Sequence, residues 1–145
     1  MYKTKISQIT AILVNIMFFG GILACILTPW GTKFYSFRGR EYIIQTGAIF
    51  LSGVASVYIM YELRRIFKTI TNNDPFVMDN AASLKKISIA SFAIAAVYIV
   101  KAFLFFTPAT FVIIVIFITA GLFCLTLMTV FTAAVRFKEE NSLTI

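Results

Sequence analysis

Between Arg64 and Leu84 the sequence gathers the side chains best suited to recognising another molecule. Arg64, Arg65 and Lys68 supply cations, Asp74 and Asp79 carboxylates, Asn80 an amide, and Pro75, Phe76 and Leu84 an apolar contour. Such a set fits docking better than bond-making: charged and amide groups fix orientation, and an aromatic or aliphatic anchor fills a pocket on a partner. Catalysis has few players in the rest of the chain. His is absent, which removes the usual general base and the commonest transition-metal ligand. Cys25 and Cys124 lie in apolar runs and form no CxxC pair, so zinc and thiol-redox chemistry have no support. No G-x-S-x-G, H-E-x-x-H or P-loop pattern occurs, and the expectation is a protein that is not an enzyme and binds no cofactor or metal.

The elements that must hold this polar stretch are strongly apolar. Of 145 residues, 60% are hydrophobic and 13% charged, with mean hydropathy +0.92, whereas a soluble domain is about half apolar and about a quarter charged. Four apolar segments, 8–28, 42–67, 87–106 and 109–135, are each near or above the ~20 residues that cross ~30 Å of hydrocarbon as a helix. Inside lipid the backbone must satisfy itself, as helices or a closed barrel. Barrel strands alternate polar and apolar residues, and "TFVIIVIFITAGLFCLTLMTVFTAAV" does not. The sequence predicts an all-α integral membrane protein, one domain over 1–145 with four transmembrane helices and an ordered connection, 68–86, between the second and third. Lys3 and Lys5 before the first segment resemble the start of a signal peptide. The apolar run is long, however, and "ILTPWGTK" offers no A-x-A-like cleavage site, so the segment is read as a retained helix.

The net charge of +7 reads as topology rather than nucleic-acid binding. Four crossings put Lys3, Lys5, Arg64, Arg65, Lys68, Lys85, Lys86, Arg136 and Lys138 on one side, leaving Lys33, Arg38 and Arg40, with Lys101 near the end of helix three, on the other. By the positive-inside rule the first side is cytoplasmic, with both termini in, as for a multi-pass protein of the bacterial cytoplasmic membrane. The loop "PWGTKFYSFRGREY" mixes aromatic and cationic residues, the composition of an outer headgroup surface. Lys101 is expected to send its ammonium along its flexible stem to that interface.

Within the spans, Asn15, Gln45, Ser52, Ser56, Ser88, Ser91, Thr119, Thr126 and Thr129 are expected to hydrogen-bond between helices. Gly47, Ser52, Gly53 and Ser56 give helix two a small-residue face for close packing. Helix two turns amphipathic over "YIMYELRRIFKTI", where Glu62, Arg64, Arg65 and Lys68 supply the polar side. Thr71, Asn72 and Asn73 then break the run. Asp74 is placed to cap a new helix with Pro75 at its first position. Val77, Ala81 and Leu84 would share a face with Ile87 or Ser88, while Asp79, Ser83 and Lys86 point elsewhere. Phe76 is expected to pack back on helix two or dip into the headgroups.

The stretch "NDPFVMDNAASLKKI" resembles the signature region of the domain-of-unknown-function family 2975, small bacterial membrane proteins of four helices. The matching positions are Pro75, Phe76, Asp79, Asn80, Leu84, Lys85 and Lys86. Met78 departs from the family where an acidic residue is common, as does Ser88, where Gly often stands. Family members are often encoded beside a small helix-turn-helix regulator. The resemblance thus implies a membrane partner that sequesters or controls a cytoplasmic transcription factor, and no direct nucleic-acid binding. The docking residues of that reading are Asp74, Pro75, Phe76, Asp79, Asn80 and Leu84, with Arg64, Arg65 and Lys68 nearby. The alternative is a small transporter, permeation accessory or extracellular ligand sensor, in which Lys33, Arg38 and Arg40 gather an anion. It calls for a cavity reaching the bilayer midplane, and for a homo-oligomer, since four short helices enclose little space.

Overall fold

The computed structural model describes residues 5–33, 39–71 and 76–143. These form four helices, α1 Lys5–Lys33, α2 Arg40–Thr71, α3 Met78–Leu104 and α4 Pro108–Leu143. Each is long and apolar enough to cross a membrane, so the protein is an all-α, multi-pass membrane protein. At 1.5 Å per residue, the 36 residues of α4 rise about 54 Å, well beyond ~30 Å of hydrocarbon, which leaves its charged last turns outside. The helices outrun the four apolar segments at most of their ends. Much of 68–86 is accordingly helix, since α2 runs on to Thr71 and α3 opens at Met78.

The contacts follow chain order and alternate in direction. Among the described residues, α1 packs on α2, α2 on α3 and α3 on α4. The α2–α3 connection therefore shares one end of the molecule with the start of α1 and the end of α4, here called the connection end. The α3–α4 turn marks the opposite, hairpin end. α3, one of the two inner helices of the row, is the most enclosed, with 44% of its most apolar stretch buried, against 6% in each of the other helices.

α3 is covered on one side along the α2–α3 seam and more extensively on the other by α4. Positions 45, 48, 52, 55, 59, 62, 66 and 69 of α2, and 80, 84, 87, 91, 94, 98 and 101 of α3, recur in alternating steps of three and four. That is the spacing that keeps a stripe facing a neighbouring helix. Ala48 meets Ile94 and Tyr98, with Ile113, Ile114 and Phe117 of α4 closing over them. Nearer the connection end, Ile66, Leu84 and Ile87 pack beneath Leu127, Met128 and Phe131.

Glycines set the closest approaches. A Cβ on Gly53 would come within 2.8 Å of Cys25 Sγ on α1, and one on Gly121 within 2.7 Å of the Phe92 ring on α3. The small face expected on helix two is thus divided between two neighbours: Gly53 faces α1, and Ser52 bonds the Tyr98 hydroxyl of α3 at 3.1 Å. Nothing lies near Gly47. The polar residues expected to join helices also divide. Ser88 donates to the Gly121 carbonyl at 3.1 Å and Asn15 accepts from Arg64 at 2.6 Å, both between helices. Thr126 and Thr129 instead donate to the carbonyls of Leu122 and Leu125 in their own helix. A threonine hydroxyl reaches the carbonyl four residues back without any partner, and on a lipid-facing surface that is the bond at hand.

Candidate functional site

At the connection end, polar groups are built into the seam rather than displayed on it. Glu62 takes a core position of α2, one turn from Ile66, and is 1% exposed. Its carboxylate lies 3.5 Å from Arg65 Nη1 and 4.0 Å from Lys86 Nζ of α3. These are ion-pair separations, and Oε2 has no hydrogen bond of its own. Asn80, also 1% exposed, donates from Nδ2 to Thr69 Oγ1 at 2.7 Å. The Glu62–Lys86 pair ties α2 to α3 by charge, and the Asn80–Thr69 pair does so by a hydrogen bond near the connection.

Asn80 and Leu84, expected on a docking face, are therefore interior residues. Both fall on the three-four stripe of α3, and Leu84 belongs to the Ile66 and Ile87 cluster. Ser83, expected to point away, is likewise buried at 2% exposure. Asp79 and Lys86 are exposed as expected. α3 begins at Met78, with Val77 in the capping position in extended backbone (φ −125, ψ 151) and no side-chain cap. The capping role expected of Asp74, with Pro75 at the first helical position, is thus not where this helix starts, and both residues lie outside those described. The Phe76 ring packs on α4 rather than on α2, 5.6 Å from the Phe131 ring, and stays 40% exposed.

The three cations stand on another side. Arg64 faces α1, its Nε donating to Asn15 Oδ1 at 2.6 Å and its guanidinium lying over the Phe18 ring at 4.6 Å. Arg64, Arg65 and Lys68 line a cavity of about 450 Å³ between α1 and α2. Phe76, Val77 and Met78 instead line a cleft of about 360 Å³ against Val135, Lys138, Glu139 and Ser142 of α4. The residues expected on one docking surface thus lie in two places, one against the first helix and one against the last.

A comparison with protein-family models matches residues 9–145 to the family described as "Protein of unknown function (DUF2975)". The chain belongs to this family. Neither a curated protein nor a solved structure matches it. The stretch that resembled the DUF2975 signature region contributes both kinds of residue seen above. Asn80 and Leu84 lock the helices, while Phe76 and Asp79 remain at the surface.

The hairpin end of this DUF2975 protein holds a second buried charge. Lys101, expected to extend along its stem to the headgroups, is packed inside the protein at 3% exposure. Its ammonium donates to Thr110 Oγ1 at 2.8 Å and to Thr107 Oγ1 at 3.4 Å, near the Phe105 ring at 5.4 Å. The two threonine hydroxyls are themselves 2.8 Å apart. The turn into α4 thus folds hydroxyls back over the end of α3, and the cation, at the negative pole of its own helix, is satisfied locally. Lys33 ends α1 and Arg40 opens α2, while Arg38 lies outside the described residues.

Proposed function

We propose that this protein is a non-enzymatic membrane signalling subunit that holds a small helix-turn-helix transcription regulator at the cytoplasmic face. The observation that carries the reading is the cleft between the start of α3 and the end of α4. Its floor is apolar, from Phe76, Val77, Met78 and Val135, and Lys138 and Glu139 stand at its rim. Half-exposed apolar side chains beside charges of both signs suit the apolar face of a short amphipathic helix laid into a groove. The start of α3 is tied to α2 by the Asn80–Thr69 bond, and the Phe76 ring packs on Phe131 of α4, so a partner would meet a formed surface. The basic residues of the connection end, Lys5, Arg64, Arg65, Lys68, Lys85, Lys86, Arg136 and Lys138, support a cytoplasmic placement of that end, and with it of both termini in a bacterial cell membrane.

The docking residues of this proposal are Phe76, Met78 and Asp79, with Lys138 and Glu139. The decisive experiment co-expresses the protein with a helix-turn-helix protein encoded by an adjacent reading frame and measures recovery from purified membranes. Met78→Ala and Asp79→Ala, both at exposed first-turn positions, should lower recovery at least several-fold with membrane abundance unchanged. Undiminished recovery would reject the cleft as the docking surface.

A further inference from the structure

The cavity between α1 and α2 has a chemistry that the docking proposal does not use. Arg64, Arg65 and Lys68 line it and Ala11, Val14 and Phe67 supply apolar wall; among the described residues no carboxylate lines it, and Arg65 also stands 3.5 Å from the buried Glu62 carboxylate. Arg64 is held in place, bonded through Nε to Asn15 and stacked over Phe18 and Phe19 at 4.6 and 5.4 Å. Its terminal nitrogens carry the planar fork of N–H donors that matches two oxygens of a phosphate, and ordering the side chain beforehand lowers the entropic cost of using it. The Arg65 side chain is 44% exposed.

A second groove begins where the cavity ends. It shares Asn15 and continues along α1 past Ile12, Ile16, Phe19 and Gly20 to Leu23, with a volume of about 550 Å³. Apart from Asn15 its lining is apolar, and it runs from the connection end toward the middle of the helix. From Asn15 to Leu23 the helix rises about 12 Å. Gly20 keeps the floor open: a Cβ there would meet nothing within 4 Å. Cations toward the connection end beside an apolar trough running along a membrane-spanning helix are the two halves of a site for an anionic amphiphile. Basic pockets between transmembrane helices take phosphate headgroups for this reason. A soluble anion would fill only the upper half.

We propose that α1 and α2 form a binding site for one anionic phospholipid, its phosphate on Arg64, Arg65 and Lys68 and one acyl chain along the Ile12–Leu23 groove. The site stands apart from regulator docking, and its test uses no protein partner. The purified full chain is held in phosphatidylcholine nanodiscs, and phosphatidylglycerol is titrated in, with binding followed by native mass spectrometry and thermal midpoint. One phosphatidylglycerol per chain should be retained at least tenfold more readily than phosphatidylcholine, and the midpoint should rise. The double change Arg64→Gln, Arg65→Gln should remove the preference. Gly20→Leu, which fills the groove without meeting protein, should keep the unliganded midpoint and weaken retention at least fivefold. Equal retention of the two lipids would overturn the proposal, as would an unaltered preference in Gly20→Leu. If inorganic phosphate at equal concentration displaces phosphatidylglycerol and raises the midpoint as much, the site takes a free anion and the proposal also falls.

Discussion

Glu62 and Lys101 are both buried ionisable side chains in the α2–α3 seam, at opposite ends of the molecule, and they are satisfied in opposite ways. Glu62 is held by charge, between Arg65 and Lys86. Lys101 is held by two threonine hydroxyls on the turn that follows it. The difference lies in what each partner can do when the interaction is lost. Arg65 and Lys86 have side chains 44% and 47% exposed, so water replaces the carboxylate. Lys101 is only 3% exposed and has no such recourse. The connection end is thereby tolerant, and the hairpin end strict.

The strictness can be broken most sharply at Thr110. Thr110→Val removes the shorter bond to a buried cation, and hydrogen bonds to charged groups contribute roughly 1.5–3 kcal/mol, so the expected loss is about 2 kcal/mol in unfolding titrations in micelles. At the other end, Glu62→Gln keeps volume and removes charge. Because both cations rehydrate, the expected cost is about 1 kcal/mol, with part of the difference disappearing at high salt. Asn80→Ala should cost a similar ~1 kcal/mol through its bond to Thr69, and should not lower regulator recovery beyond any loss of folded protein. The smallest effect is expected for Lys101→Met, which replaces the cation by a side chain of similar length. Its stability should stay within about 1 kcal/mol of the parent, because exchanging a buried charge for a packed apolar group is often neutral. The pair closes a cycle: Thr110→Val added to Lys101→Met should cost less than half of what it costs alone. Full additivity would show that the ammonium does not depend on Thr110.

The four helices were legible because ~20-residue apolar runs have few other fates. The partition of polar residues was harder to read. Glu62 sits in a run with Arg64, Arg65 and Lys68 that resembles a surface, yet it follows Ile59 by three and precedes Ile66 by four, on the buried stripe. Asn80 and Lys101 lie on the corresponding stripe of α3. The phase was present in the sequence, but residue type argued against it, since charged and amide side chains are rarely interior without partners. Those partners come from other elements: Lys86 for Glu62, Thr69 for Asn80, Thr110 for Lys101. The cleft at Phe76 was illegible for the same reason, because its second wall, Val135 to Ser142, is more than fifty positions away in the chain. The direction of Arg64 depended on Asn15, in a helix read separately.

Contacts that run strictly in chain order also bear on how the protein is made. Each helix after the first leaves the ribosome to find a neighbour already synthesised, α2 meeting α1, α3 meeting α2 and α4 meeting α3. Packing between helices adjacent in the chain keeps small the loop-closure entropy that slows non-local topologies. Synthesis from the N-terminus therefore proceeds along the same path as assembly. α3, which carries most of the buried surface, arrives third and receives its final cover when α4 turns back at Thr107.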